Sequence, residues 1–251
     1  MWISPITFSA IFILACTAFL CTASSRLHSI RKALPVSIAI ILLWQVLMFA
    51  DSWATDKSIP LTNSSQAIAF TSIVLTAGSL WLSVRRQWLL CSVTVTMSGF
   101  AALVSWLAKP DGGASAHVAP VLSSPWLAVH VSLIMTAYAL LTIIFAVAIV
   151  AIIHPSEKLR ILSLSILYPA LLLLAAGIFA GAVWADRAWG RYWAWDPKET
   201  WALITLIVYS LPLHIPMPGR RRLPVFLCFA FLTVIITFWG VNYLPSIHAY
   251  R

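Results

Sequence analysis

Apolar side chains dominate this chain in consecutive runs of about 17 to 28 residues, separated by short polar segments. A helix needs about 20 apolar residues to cross the hydrocarbon core of a bilayer, which is about 30 Å thick. The runs lack the strict alternation of barrel strands, and a membrane demands that backbone polar groups be satisfied within each segment. The pattern therefore predicts an all-α, polytopic membrane helix bundle.

Eight spanning helices are predicted, with no polar segment long enough to form a separate water-soluble domain. Residues 1–251 are therefore interpreted as a single transmembrane domain. The first apolar run lacks a strongly basic start and a small-residue cleavage site, so we expect a retained helix rather than a signal peptide. The predicted spans are 5–23, 34–52, 66–84, 88–108, 126–153, 161–184, 200–217 and 223–245.

Charged residues are sparse, and the net positive charge falls on one side of the predicted bundle. Hydrophobic residues make up 61% of the chain, charged residues 9%, and the net charge is +9. Alternate loops divide the charges into two sets. One holds Arg26, Arg31, Lys32, Arg85, Arg86, Lys158, Arg160, Arg220, Arg221 and Arg222 with Glu157; the other holds Lys57, Lys109, Arg187, Arg191, Lys198 and Arg251 with Asp51, Asp56, Asp111, Asp186, Asp196 and Glu199.

The positive-inside rule places the first, strongly basic set in the cytoplasm. With eight crossings, both termini and the 185–200 segment are then extracytoplasmic. The basic balance thus reflects membrane topology, and no nucleic-acid partner is predicted. The lipid bilayer is the expected surrounding of this multi-pass protein.

Cysteine usage excludes several kinds of site. Cys16, Cys21, Cys91 and Cys228 all lie in apolar segments, without a C-x-x-C or C-x-x-C-H motif. We interpret them as small buried hydrophobes. The chain also lacks a glycine-rich phosphate loop and a nucleophile elbow, so neither nucleotide binding nor serine-type hydrolysis is indicated.

The segment WGRYWAWDPKETWALI, residues 189–204, combines aromatic and charged side chains in an otherwise apolar chain. Asp196 supplies an N-cap carboxylate, Pro197 suits the first helical position, and Glu199 completes a capping box. The seventh span therefore begins here. Capping also favours a structural role for Asp196 and Glu199 over acid–base chemistry.

A tryptophan-rich outer loop, residues 184–201, precedes and enters that helix. One interpretation is an interfacial aromatic belt that anchors helix ends. However, a belt distributes aromatics over all helix ends, whereas this segment concentrates them around Gly190 and a capped helix. The alternative is a platform on which a flat apolar ligand stacks. The platform residues are Trp184, Trp189, Tyr192, Trp193, Trp195, Asp196 and Trp201.

Three histidines are candidates for metal ligation. His130 lies about one and a half turns inside the fifth span, and His248 follows the eighth, so both are predicted at the depth of the aromatic loop. Two imidazoles beside an aromatic platform suit an axially ligated haem. His214 lies about 20 Å deeper than Trp201, where an ionisable group is a functional candidate, unless Pro212 and Pro216 end the helix at the inner interface.

These residues resemble the tryptophan-rich WWD signature of haem-handling proteins. The WDPKETW ending is similar to the CcsA/ResC branch of System II cytochrome c biogenesis rather than to the related CcmC and CcmF branches. WLAVHVSLIMTAYALLTIIF and FWGVNYLPSIHAY are similar to the segments that hold the family's two external histidines, here His130 and His248. YSLPLHIP is similar to the segment with its transmembrane histidine, here His214.

The resemblance implies a haem-handling subunit of a holocytochrome c synthase (cytochrome c haem-lyase) complex. Haem b, both substrate and transient ligand, would have its iron bound by His214 and then by His130 and His248, and would be presented at the WWD platform to the CxxCH segment of apocytochrome c. No side chain of this chain would act as a nucleophile. A ResB/CcsB-like membrane protein is the implied partner. A CcmC-like haem-delivery subunit without ligation activity is the alternative.

Overall fold

The computed structural model describes residues 28–56, 59–108 and 124–243, together with Ile11, and the regular elements in these ranges are all helices. It confirms the all-helical class. The chain divides into two compact units, residues 1–119 and 120–251. The helices are α1 (His28–Asp56), α2 (Ser64–Val84), α3 (Trp88–Leu107), α4 (Pro125–Ile153), α5 (Glu157–Trp189), α6 (Pro197–His214) and α7 (Arg222–Phe238), followed by a 3₁₀ turn, Gly240–Tyr243.

Five of the described helices are long and apolar enough to cross a membrane, so this is a multi-pass membrane protein. These five are α1 to α5, with mean hydropathies of their most apolar windows between 1.6 and 2.6. Helix α7 is apolar but shorter, and α6 is not among the five. The first predicted span, 5–23, lies outside the described residues except for Ile11. The count of eight spans and the positions of the termini therefore remain predictions.

In the first unit, α2 and α3 are joined by small hydroxyl side chains. Ser72 and Ser98 each donate to the other's backbone carbonyl oxygen, at 3.0 and 2.9 Å. Ser65 and Ser105 repeat this reciprocal pair seven residues away, at 2.7 Å in both directions. The seven-residue spacing keeps one face of each helix in contact, and interhelical hydrogen bonds stabilise such pairs where water is absent. The amide of Gln45 links α1 to this ladder by donating to Ser72 Oγ at 3.1 Å.

In the second unit, α4 and α5 form a long helical hairpin, and α4 also packs on α7. The rings of Phe145 and Phe231 stack across the α4–α7 contact, with centroids 4.4 Å apart and planes 11° from parallel. Helix α6 is fixed to α7 by the hydroxyls of Thr205 and Thr237, 3.1 Å apart. These contacts hold the helices α4, α6 and α7 together, and the candidate site residues lie near the ends of helices in this unit.

The largest correction to the predicted elements concerns the tryptophan-rich segment. The sixth span was predicted to end at residue 184, but α5 continues to Trp189, so Trp184 and Trp189 lie on its final turns. Alanines 185 and 188 favour helix continuation, and Gly190 then ends the helix in the left-handed conformation, with φ of 72°. The proposed outer loop, residues 184–201, is therefore two helix ends joined by a short connection, residues 190–196.

The seventh and eighth elements also end earlier than predicted. Helix α6 stops at His214 rather than at 217, because Ile215 precedes Pro216 and is held in an extended conformation. Helix α7 stops at Phe238 rather than at 245. His214 is consequently the last residue of α6 and is exposed. The helix does end early, at the residue before Ile215 and Pro216, whereas Pro212 lies inside the helix and does not end it.

Candidate functional site

His130 is held by a hydrogen bond to the neighbouring helix of the hairpin. It lies in the second turn of α4, and its Nδ1 is 2.7 Å from the carbonyl oxygen of Gly177 in α5. Because a carbonyl oxygen can only accept, Nδ1 carries the proton, and Nε2 of the neutral ring then carries the lone pair. Metal-binding histidines in proteins are oriented in the same way, because the ring nitrogen that does not bind the metal donates a hydrogen bond to a neighbouring group. His130 is therefore chemically suited to ligate iron through Nε2.

The imidazole fits against α5 because residue 181 has no side chain. A Cβ at Gly181 would lie 2.5 Å from His130 Nδ1 and 2.7 Å from Cε1, closer than the atoms can approach. A Cβ at Gly177 would instead meet the side chain of Ile134, at 2.7 Å. We call His130, Gly177 and Gly181 the histidine socket. Neither glycine is among the site residues predicted from the sequence, although a G-x-x-x-G spacing in an apolar helix is a recognised signal of close helix packing.

The socket and the tryptophans lie at the same end of the α4–α5 hairpin. The guanidinium of Arg187 in α5 sits over the ring of Trp126 in α4, 5.3 Å from its centroid. Trp126 precedes His130 by four residues, about 6 Å along the helix, and Gly181 precedes Trp184 by three. The antiparallel register thus brings His130 within about one helical turn of Trp184 along the hairpin axis.

Aromatic side chains form two edge-to-face pairs at this end. Trp184 is buried and meets the partly exposed Trp189 with ring centroids 6.4 Å apart, at 83°. Trp193 and Trp195 form the second pair, 5.8 Å apart at 89°. Trp195 is 70% exposed and Tyr192 61%. Large aromatic faces are thus available at the surface beside a buried aromatic base, an arrangement that suits contact with a flat apolar molecule or with lipid.

The backbone at Trp195 adopts a conformation that side chains other than glycine seldom occupy, with φ of 55°. Such a conformation costs on the order of 1–3 kcal/mol and persists only where neighbouring groups hold it. Here Glu199 holds it, because one carboxylate oxygen accepts from the backbone N–H of Ala194 at 2.9 Å and of Asp196 at 3.2 Å. Residues 193–196 are called the Trp195 turn below.

The capping box predicted for α6 is confirmed. The buried carboxylate of Asp196 accepts from the backbone N–H of Lys198 at 2.9 Å, and Glu199 completes the reciprocal half of the box. Burial lowers the pKa of Lys198 to about 8, and the charge of Asp196 opposes that shift. Lys198 therefore loses its proton at a lower pH than an exposed lysine does, although it lies near the carboxylate of Asp196.

The backbone of Trp201 is held by a hydrogen bond from helix α7. Its carbonyl oxygen accepts from Thr205 at 2.8 Å and from Thr237 at 3.2 Å. The second bond crosses from α7 to the first turns of α6. Residues 184–201, called the aromatic segment below, are therefore anchored at two points, by helix α5 at Trp189 and by the hydrogen bond from α7 at Trp201.

His214 lies at the other end of α6 and does not join the histidine socket. Its Nδ1 is 3.0 Å from the carbonyl oxygen of Ser210, one turn earlier in the same helix. An open pocket at this end of α6 has His214 and Arg160 among its lining residues. His248, the second predicted outer ligand, lies outside the described residues. The structure thus groups His130 with the tryptophans, separates His214 from them, and leaves the role of His248 a prediction.

Comparisons with known proteins agree on one family. The family model described as "Cytochrome C assembly protein" matches residues 3–248. The chain is 30% identical to the "Cytochrome c biogenesis protein CcsA" of Guillardia theta, over 81% of this chain and 80% of that protein. It is 28% identical to the CcsA of Porphyra purpurea, over 91% and 90%. It is also 31% identical to "Protein NrfI" of Wolinella succinogenes, over 76% of this chain but 23% of that longer protein.

Proposed function

Because this chain belongs to the cytochrome c assembly protein family, and to its CcsA-like members, we propose that it is the haem-handling subunit of a cytochrome c synthase. Haem b enters near His214, crosses to the outer face, and is held there by His130 and His248 beside the aromatic segment. It is then presented to the CxxCH segment of apocytochrome c. Each cysteine thiol adds across one vinyl group of the haem, which forms a thioether.

The observation that best supports this proposal is the histidine socket. An imidazole whose Nδ1 donates to the Gly177 carbonyl oxygen has the tautomer and fixed orientation that an axial iron ligand requires. It lies at the end of the hairpin that also holds Trp184, Trp189 and Arg187. An aromatic belt alone would need neither an oriented imidazole nor a glycine at position 181.

The contribution of this chain to the reaction is positioning. Holding the haem and two thiols together converts a chance encounter into an effectively unimolecular addition, for which large rate gains are known. Asp196 and Glu199 make backbone hydrogen bonds that fix the Trp195 turn, so they are positioning residues rather than acid–base groups. The thiols, and the histidine that finally binds the iron, come from the apocytochrome.

A ResB/CcsB-like membrane protein completes the proposed complex. His214 is the candidate for an inner haem site, and a haem in such a site is held stably by two axial ligands. We propose that the partner supplies the second histidine. The aromatic segment faces the periplasm in a bacterium, or the lumen in a thylakoid membrane, as the distribution of basic residues predicts.

A CcmC-like haem-delivery subunit is the second candidate function, favoured by the same socket and aromatic segment. Both functions require haem binding, but only the synthase forms thioethers. The visible absorption spectrum of the purified protein, expressed with and without the ResB/CcsB-like partner, is the first test. We expect a low-spin spectrum typical of two histidine ligands. A preparation without haem under both conditions would exclude both functions.

Glu199 offers a test of the role of the Trp195 turn. Glu199→Ala removes both hydrogen bonds that hold the turn, whereas Glu199→Gln keeps an oxygen that can accept them. Loss of a helix cap costs about 0.5–2 kcal/mol, so we expect haem retention to fall several-fold in Glu199→Ala and to be nearly normal in Glu199→Gln. The measurement is haem per protein after purification.

The control for loss of one carboxylate is Asp51→Ala, at an exposed position in α1. Equal losses in Glu199→Ala and Glu199→Gln would show that charge, rather than the turn, is what matters. Unchanged haem retention in Glu199→Ala would show that the turn has no part in holding haem.

A further inference from the structure

The pocket at the C-terminal end of α6 is lined by two basic side chains and by apolar residues. Arg160 and His214 supply a guanidinium and an imidazole, and the rest is apolar, including Leu164, Pro212, Met217 and Leu223. None of the residues that line it is acidic. A pocket of this composition is complementary to a molecule with an apolar body and an anionic oxygen group.

Electrostatic features around Arg160 reinforce that preference. Arg160 lies in the first turns of α5, where the N-terminal end of a helix contributes a partial positive charge. Arg222, at the start of α7, is the chain neighbour of Leu223 in the pocket wall. Arg160 thus supplies a cation in the pocket wall that also contains the candidate inner histidine.

Arg160 already binds a carboxylate in a form that an incoming ligand can replace. Its Nη1 donates to Glu157 Oε1 at 2.8 Å, in a pair whose side chains are 37% and 57% exposed. Exposed ion pairs contribute little to stability, since water and salt screen them. Exchanging Glu157 for the carboxylate of a ligand inside the pocket therefore costs little.

We propose that Arg160 binds a propionate carboxylate of the haem that enters beside His214, so that this pocket recognises haem by an anionic group as well as by its iron. The inference rests on the proposed function, because haem supplies the anionic group. It assigns to Arg160 a binding role separate from the membrane-topology role of the other basic residues. It also predicts that Glu157 competes with the ligand.

The test compares haem with haem dimethyl ester, in which both propionates are esterified and uncharged. Each is titrated into the complex of the full chain with its proposed ResB/CcsB-like partner in phosphatidylcholine nanodiscs, in a His130→Ala background that removes the outer ligand of this chain. Arg160→Gln is expected to weaken haem binding about tenfold or more, the effect of losing a hydrogen bond between charged groups, and to leave ester binding unchanged. Arg160→Lys should restore part of the loss.

Glu157→Gln removes the competing carboxylate and is expected to strengthen haem binding by about two- to fivefold. Arg221→Gln, which removes one cation of the same loop group outside the pocket, is the matched control and should have little effect. His214→Ala should weaken the binding of haem and of the ester alike, because it acts on the iron.

The outcomes separate this inference from the proposed function. If His214→Ala weakens both ligands but Arg160→Gln weakens neither, or both equally, the function stands and the carboxylate assignment is wrong. If neither ligand binds in a way that depends on His214, the inner haem site itself is wrong and the inference falls with it. If the effect of Arg160→Gln appears only as loss of co-purified phosphatidylglycerol, Arg160 binds a lipid phosphate, which also overturns the assignment.

Discussion

Replacing His130 with alanine is expected to lower haem retention at the outer site by at least about 100-fold, more than the loss of a residue that merely orients a ligand. The variant removes the proposed iron-binding nitrogen while leaving Gly177 and Gly181 in place. Added imidazole should restore a large part of the bound haem, because a free imidazole can fill the vacant position at the iron. The measurement is the visible spectrum and haem content of the purified complex.

Rescue by imidazole separates lost ligation from misfolding, since a free ligand cannot repair a collapsed helix pair. His154→Ala is the matched control, because His154 lies at the opposite end of α4, as its C-cap. It should retain haem without added imidazole. If His130→Ala keeps its full haem content and full cytochrome maturation without imidazole, His130 is not a ligand of the haem iron.

Gly181→Ala is expected to have the second-largest effect, although it changes only one methyl group. The new Cβ would lie 2.5 Å from His130 Nδ1, so the imidazole must turn away and lose its bond to the Gly177 carbonyl oxygen. Loss of a partner that orients a metal ligand costs roughly 10- to 100-fold in affinity. We therefore expect a comparable loss of haem, again partly restored by imidazole.

The control for helix packing is Ala170→Val, at a buried position of α5 outside the histidine socket. Ala170 lies about 10 Å along the helix from Gly177. We expect Ala170→Val to reduce thermal stability without the selective response to imidazole that marks Gly181→Ala. If both variants lose haem to the same extent and neither responds to imidazole, Gly181 serves helix packing alone and the socket is not a ligand-orienting device.

Hydropathy predicts where most of the helices lie, because the length of an apolar run is a local property of the sequence. The prediction for α3 differs from the structure by one residue, and that for α4 also by one. Capping chemistry likewise locates the start of α6, since Asp196, Pro197 and Glu199 act through neighbouring backbone groups. The end of α5 was misplaced because the density of tryptophans suggested a loop where a helix continues.

Contacts between helices could not be derived in the same way. The bond from His130 to Gly177 joins residues 47 positions apart, and the ladder between Ser72 and Ser98 joins residues 26 apart. Which faces meet depends on packing, which hydropathy does not encode. The left-handed backbone of Trp195 was equally hidden, because nothing in its side chain favours that conformation and Glu199 imposes it from outside.

The most direct test of the account is covalent haem attachment to an apocytochrome c with a CxxCH motif. The full chain is expressed with the ResB/CcsB-like partner in a host without its own cytochrome c synthase, and the apocytochrome is assayed for haem that survives denaturation. The account predicts covalent haem with the unaltered chain and little with His130→Ala unless imidazole is added. The contrary result is that this chain binds haem but no covalent product forms, although the partner and the apocytochrome are both present. That result would contradict the synthase function and favour delivery of haem alone.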